Sequence, residues 1–569
     1  MAATSSHVSG RTIFSRRTIL KSSIWGTALA VMPPGARQVG AWAEGTGAAG
    51  VRAGSSRAEG GFAAPTGSPA MAPVVETTSG KIRGVAANGV QIYRGVPYAA
   101  PTAGSNRFMP PRKVEPWTGV RDAFQNGHSS PQVAPPPSAI GWGLRGSAAQ
   151  GEDCLVLNIF STGVNDGRKR PVMMWIHGGG YTYGSGSSLG YDGANLARTG
   201  DVVVICINHR LNVVGHLYLG AVGAEFADSG NIGMLDIVAA LQWVRDNVAQ
   251  FGGDPGNVTI FGQSGGGGKV STLVAMPAAK GLFHKAIVES GSTLKQMTRD
   301  EAQKTTDLVT SQLGLKPTAV AELQQVPIAK LLAAIGGAAN AGGGGVRFGP
   351  VVDAHSLPRH PFDPDAPETS ADVSMIIGTT ETEGSYFAPP DLLSLDEAAV
   401  RARLKERLAA DGDRIYDLFK KRRPAATPSE IYFTISAFPS NAHLQAERKA
   451  AQRRAPAFMY QIRWRTPVDG GRRLSPHCIE IPFAMQNHWH LPEMVGTGPE
   501  LQPLADKVSG AWVAFARTGN PSHPGIPNWP AYSAAERSTM HMNNEWTVVT
   551  DPDREERLAL LSLPRLPMF

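Results

Sequence analysis

The stretch with the clearest chemical content is VTIFGQSGGGGKVSTLVAM, from Val258 to Met276. It opens as a β-branched apolar run, closes as a helical one, and sets Ser264 among glycines where the one must turn into the other. Two chemistries use such a turn. A phosphate-binding loop needs Gly, four residues, then Gly-Lys-Ser/Thr. Counting back from Gly268-Lys269 puts Gln263 in place of the first glycine and Val270 in place of the hydroxyl, which excludes that reading. The alternative is a nucleophilic serine in Gly-x-Ser-x-Gly, here Gly262-Gln263-Ser264-Gly265-Gly266. That turn is so sharp that the residues two before and two after the serine must lack a Cβ, and the hydroxyl then projects from a sheet edge. A second match, Gly186-Ser187-Ser188-Leu189-Gly190, follows GGGYTYGS and not a β run, so Ser188 reads as a loop residue.

A serine that attacks a carbonyl needs donors for the oxyanion. MMWIHGGGYTYGSG places Gly178, Gly179 and Gly180 directly after a buried apolar run and His177. The N–H groups of Gly179 and Gly180, joined by that of Gly265 just after the serine, can converge on one oxygen. A plain turn would need one or two glycines, not three in a row.

These residues must be placed by strands. RPVMMWIHG and GDVVVICINHR are continuous apolar runs, as expected of strands buried on both faces. MLDIVAALQWVRDNVAQFGG spaces Leu235, Val238, Ala239, Leu241, Trp243 and Val248 for a helix closed by glycine, and NVTIFG returns as a strand. This alternation predicts a mostly parallel α/β sheet with right-handed crossovers. Beyond Lys280 the chain reads as largely helical, with strands near ADVSMIIGTT and APAFMYQIRW. The charged run from Asp396 to Pro424 reads as a solvated helical face, and GGAANAGGGGVRFG as a loop.

Composition narrows the class. The 569 residues are 42% hydrophobic and carry a formal charge of +7. Five of the cations (Arg11, Arg16, Arg17, Lys21 and Arg37) lie in residues 1–43, which hold no acid. The remainder therefore carries only +2, and no nucleic-acid partner is expected. SRRTILK followed by SSIWGTALAVM and AWA has the charged, apolar and small-residue parts of a signal peptide ending at Ala43. Its paired arginines resemble the bacterial twin-arginine signal, with Ile19 where Phe is usual. An ordinary secretory signal or a basic tail are the alternatives. Residues 44–73 are rich in Gly, Ala and Ser and read as a disordered linker, and residues 74–569 as the folded domain. Apolar runs stop short of a membrane span, so no stable membrane anchor is expected. The 3 cysteines (Cys154, Cys206 and Cys478) have no metal-ligand spacing.

From Val74 to Leu561 the chain resembles the type-B carboxylesterases of the α/β-hydrolase fold, the group that includes cholinesterases and bacterial para-nitrobenzyl esterases. The resemblance rests on YRGVPYAAPTAGSNRF, GEDCLVLNIF, HGGGY, INHRL, DSGNIGMLD, WVRDNVAQFGGDPGNVTIFGQSGG, SPHCIEIPF, AWVAFARTGNP and WPAY, in that order. It implies large helical insertions around an active-site gorge, and ester hydrolysis without cofactor or metal by a monomer or homodimer, while the N-terminal signal implies export from a bacterial cell. The family's acid lies in a Gly-x-Asn-x-Asp-Glu-Gly loop, here GTTETEG, which carries the role to Glu383 with Glu381 as runner-up. The base falls on His477. Ser229 of DSGNIG matches a serine that buttresses the catalytic histidine. Tyr181, beside the glycine run, and Trp142, upstream of Cys154 near the cholinesterases' aromatic cation site, become substrate-binding candidates. Arg107 and Glu152 match a structural ion pair, His209 reads as packing, and His488 with His490 as a surface loop.

Departures from the family bear on substrate. Gln263 stands where many relatives carry Glu, which removes a reason to favour cationic esters. The Cys of EDCL pairs in the family with a Cys just before Pro-Gln; here that place is Ser130, so Cys154 has lost its partner. Hydrolases whose loop reads Gly-Gly-Gly-x leave space beside the leaving group, and Gly265, where most relatives have Ala, is expected to add to it. Uncharged alkyl or aryl esters, tertiary alcohols among them, are the expected substrates. An amidase or carbamate hydrolase would use the same residues, and a binding protein on this fold would have lost some of them.

Overall fold

A computed structural model describes residues 70–133, 149–340 and 346–563. The expected signal peptide, all but the last residues of the expected linker, and Trp142 lie outside the described residues. The linker reading needs shortening at its end, because Ala70 already pairs with Ala86 and Met71 with Val85 in the first strand.

Among the described residues thirteen strands form one sheet. They are β1 (Ala70–Thr77), β2 (Gly80–Ala87), β3 (Val90–Pro97), β4 (Val120–Asp122), β5 (Val156–Ser161), β6 (Arg170–Ile176), β7 (Val203–Ile207), β8 (Gly253–Gln263), β9 (Lys285–Glu289), β10 (Ser374–Thr380), β11 (Ala457–Ile462), β12 (Thr539–Met542) and β13 (Thr547–Val549). Their order is β1-β2-β3-β5-β7-β6-β8-β9-β10-β11-β12-β13, with β4 beside β2. Strands β7 through β12 along that order are mutually parallel. The antiparallel members are β1–β3, β5 and β13. This is the mostly parallel sheet of an α/β-hydrolase.

The apolar runs are buried on both faces because each face carries its own core. Along β6, Val172, Met174 and Ile176 enter one cluster, backed by the helices Ile232–Asn247 and Gly265–Leu273. Met173 and Trp175 enter the other, against the helix Leu501–Thr518. Period-two alternation cannot be seen in such a strand, since both sets are apolar. The helix Ile232–Asn247 is also buried more widely than one stripe predicts. Ile237, Ala240 and Val244 are inside, Leu235 and Ala239 only partly, and Asp236 is fully buried in a bidentate pair with Arg210.

Two helical insertions carry separate cores. One packs Val309, Leu323 and Leu331 on Val213 and Leu217. The charged run forms two helices, Glu397–Leu408 and Gly412–Arg422. Its solvated face holds Arg401 among Glu397, Asp413 and Asp417, while Val400, Leu404, Ile415 and Phe419 form a core beneath. The expected loop from Gly336 is partly helix: Ile328–Asn340 runs through the first glycine pair.

Register brings the site together. Ile176 pairs with Gly262, Gln263 with Glu289, and Glu289 with Gly378, so β6, β8, β9 and β10 all end at one level. In open parallel sheets the crevice beyond the carboxyl ends of such strands is where ligands bind.

Candidate active site

Strand β8 delivers Ser264 at φ 58° and ψ −125°. A non-glycine residue rarely adopts that conformation, which costs roughly 1–3 kcal/mol and persists only where neighbours enforce it. They do so here. The Ser264 N–H donates to the Glu289 carbonyl at 2.8 Å, and its own carbonyl accepts from the Gly268 N–H at 2.9 Å. A Cβ at Gly262 would lie 2.5 Å from the Ile176 carbonyl oxygen, and one at Gly266 only 2.0 Å from it. The two glycines required by the sharp turn are thus required by β6, which runs against it.

The glycine run after β6 lies on this turn. A Cβ at Gly178 would stand 2.8 Å from the Gln263 carbonyl oxygen and 3.3 Å from the Ser264 Cβ. Gly179 and Gly180 have φ 90° and 61°, which glycine adopts at no steric cost. Gly180 packs on Gly265 so closely that a Cβ there would lie 2.5 Å from the Gly180 nitrogen and 2.3 Å from its carbonyl oxygen. Gly178, Gly179, Gly180, Gly265 and Ser264 are therefore contiguous. Behind them His177 stacks on His209 with centroids 4.7 Å apart, so His209 does pack.

The loop after β10 carries both candidate acids, facing opposite ways. Glu383 binds His477 Nδ1 through Oε2, and its Oε1 accepts the Thr380 N–H at 2.7 Å. Glu381 turns toward Arg463 and Arg465, 3.7 and 3.8 Å away. Burial alone would raise the Glu383 pKa. The charge and hydrogen bond of His477, the Thr380 N–H and the Ser290 hydroxyl outweigh it and hold the carboxyl below its ordinary value. For His477 burial works toward a lower value, but the attraction and hydrogen bond of Glu383, aided by Glu480, raise it. An acid that stays ionised beside an imidazole of raised basicity is what general-base catalysis asks for.

Gln263 links this pair to the turn. Its Nε2 lies 3.2 Å from both ring nitrogens of His477, off the lone-pair axis of each, so the amide packs against the ring. Its Oε1 accepts from the Cys478 thiol at 3.0 Å.

Ser229 requires correction. Its hydroxyl accepts the Leu219 N–H at 2.7 Å and fastens a different turn. The serine bonded to the acid is Ser290, at φ 49° just beyond β9, whose hydroxyl also lies 3.2 Å from Glu480 Oε1. Ser290 directly follows the strand beside the nucleophile's, a placement that only the sheet order shows. Tyr181 is tied down: its phenol accepts from Gln296 at 2.9 Å and its ring faces Lys269 at 5.3 Å. His488 is buried rather than on a surface loop. Arg107 and Glu152 form the expected pair through two bonds of 2.8 and 2.7 Å. Cys154, Cys206 and Cys478 are free and buried, with Cys154 bonded to Ser130.

Three buried ionisable groups around the site belong to no catalytic motif of the sequence. Glu289, bonded to Trp512 at 2.7 Å, and Glu480 are both pushed up by burial. Lys269 is entirely buried in the helix that follows Ser264. A lone lysine inside an apolar helical run signalled it.

The sheet order and the strained serine turn at the ends of its parallel strands define an α/β-hydrolase-fold hydrolase. The chain belongs to the carboxylesterase family, whose sequence profile matches residues 71–561, and it is a carboxylic ester hydrolase. It is 36% identical over 496 residues to the para-nitrobenzyl esterase of Bacillus subtilis, covering 86% of this chain and 98% of that one. It is 34% identical over 507 residues to the phenmedipham hydrolase of Pseudarthrobacter oxydans, covering 86% and 99%. Among solved structures it is similar to an esterase from Clostridium hathewayi described as hydrolysing aliphatic aromatic polyesters. That match has a TM-score of 0.76 at 34% identity and covers 86% of this chain and 99% of the other. Among the described residues no helix is long and apolar enough to cross a membrane.

Proposed function

We propose that the protein hydrolyses uncharged alkyl or aryl esters through an acyl-enzyme on Ser264, with His477 as base and Glu383 as its acid partner. The observation that carries this reading is the bonded Glu383–His477 pair lying against Gln263, the residue before the strained serine. His477 takes the Ser264 proton as the oxygen attacks the carbonyl carbon. The tetrahedral oxyanion is held by the N–H groups of Gly179, Gly180 and Gly265. When it collapses, the C–O bond to the alcohol breaks and His477 returns the proton to the departing oxygen. Water, deprotonated by the same imidazole, then releases the acid and restores Ser264. Glu383 fixes the tautomer with Nδ1 protonated and stabilises the imidazolium. The Gln263 amide adds no charge to a region already holding Glu289, Glu383 and Glu480.

The resemblance to a phenmedipham hydrolase supports carbamates as a second substrate class, since the same steps cleave them. A panel of matched aryl esters, carbamates and amides, run with Ser264→Ala as blank, tests both readings. Ester turnover well above the blank is expected, with carbamates slower. Ester turnover equal to the blank contradicts the proposal.

A further inference from the structure

Lys269 lies five residues after Ser264 and has no exposed surface. Its ammonium donates to the Gly180 carbonyl at 2.8 Å and to the His177 carbonyl at 3.1 Å, while the Tyr181 ring lies 5.3 Å away. Among the described residues no carboxylate pairs with it. The ionisable groups that face it are His177 at the end of β6, His209 beyond β7 and His216 in the helix Asn212–His216. Burial holds all three imidazoles below their ordinary pKa, and the lysine's charge adds to that.

A buried ammonium without a counter-ion is expensive, and an apolar side chain of similar length would fill the space at less cost. The two carbonyls it binds say what the charge does there. They belong to the residue before the run Gly178–Gly180 and to its last glycine, so the lysine grips the loop at both ends. Glycines at φ 90° and 61° have little intrinsic resistance to turning their peptide planes. Rotation of the Gly180–Tyr181 plane would break the shorter of the two bonds. Because Lys269 and Ser264 share one turn and helix, the grip also fixes the loop relative to the nucleophile.

We propose that Lys269 is a positioning residue for acyl transfer, stapling both ends of the glycine loop to the helix behind Ser264 so that the loop's N–H groups stay aimed at the oxyanion. The inference rests on the reading of Ser264 as nucleophile. Its charge, close behind the loop, also favours the negative oxygen formed in the transition state.

The test replaces the charge with an apolar chain of similar length, Lys269→Met, in the full-length protein. Active sites are counted with a fluorophosphonate so that kcat refers to folded, reactive enzyme. Misaiming the hole should lower kcat roughly ten- to a hundredfold while KM moves less than about threefold. Affinity for an aryl trifluoromethyl ketone, whose adduct carries the oxyanion, should fall with kcat/KM. A purely structural lysine would lower the melting temperature and leave kcat per site within about twofold of wild type, which overturns the proposal.

If Lys269→Met does not fold, the wild-type pH profile decides. Burial draws the Lys269 pKa down to about 7, and the three facing histidines stay neutral above that pH. Loss of the proton should lower kcat about tenfold or more on the alkaline side. A kcat that stays level through the pH at which the Lys269 ammonium loses its proton, followed by nitrogen-15 NMR of Nζ, contradicts the proposal. Loss of the Ser264 reading would show separately, as turnover retained in Ser264→Ala.

Discussion

The backbone of Gly180 occupies the place that a Cβ on Gly265 would need, with its oxygen, Cα and nitrogen at 2.3, 2.4 and 2.5 Å from that position. The missing side chain at Gly265 therefore opens no room for substrate; it admits the glycine loop. This overturns the expectation that Gly265 enlarges the alcohol pocket. Gly265→Ala should push Gly180 aside and lower kcat by about ten- to a hundredfold, with stability reduced much less. The check is kcat per fluorophosphonate-reactive site. An alanine variant at wild-type rate would show that the loop has another position available.

Room beside the hole has to come from Gly180 itself. Among the described residues, a Cβ there would meet only the Thr182 hydroxyl, at 3.8 Å. Tert-butyl acetate should therefore be hydrolysed measurably above a Ser264→Ala blank, more slowly than n-butyl acetate. Gly180→Ala, strained at φ 61°, should lose the tert-butyl ester first. If tert-butyl acetate matches the blank while n-butyl acetate turns over freely, the open side of Gly180 does not face the leaving group.

The acid limb of kcat/KM reports protonation of His477. Its raised pKa means that the base is lost on acidification at a pH above the ordinary imidazole value of about 6.5. Gln263→Glu would set an anion against the ring, favour imidazolium, and move the limb to higher pH. Glu383→Gln removes the main stabiliser of imidazolium and should move it lower, with a large loss of kcat. Glu381→Gln touches the Arg463 and Arg465 side chains and should leave the limb in place. A limb that shifts with Glu381 and not with Glu383 would assign the acid to the other residue.

The strands, their parallel arrangement and the serine turn were legible in the sequence because each depends on local pattern: apolar runs, glycine spacing and the strand that precedes Ser264. The glycine loop was legible for the same reason. Long-range pairings were not. Nothing local distinguishes Ser229 from Ser290 as the hydroxyl beside the acid; that choice follows from the register of β9 between β8 and β10. Nothing local marks Glu289 and Glu480 as buried carboxylates; the sheet buries them. Lys269 stood in plain view in GGGGKVSTL, but its role depends on two carbonyls roughly ninety positions upstream.

Three reduced thiols are expected per denatured chain, from Cys154, Cys206 and Cys478. Titration finding one would mean that a disulfide had formed. A chain that needs no disulfide can fold before export, which would suit the twin-arginine signal expected from SRRTILK. Replacing Arg16 and Arg17 together by Lys should leave active enzyme in the cytoplasm. Export undiminished by that change would point to the general secretory route.

The most direct measurement of the central claim is the site of covalent labelling by a fluorophosphonate. The reagent is attacked by an activated serine, and the adduct stays on the oxygen that attacked. Peptide mapping should find one adduct per chain, on Ser264, with labelling lost in His477→Ala and ester turnover abolished in proportion to labelling. An adduct on another serine, or full ester turnover in enzyme whose Ser264 is already labelled, would contradict the account.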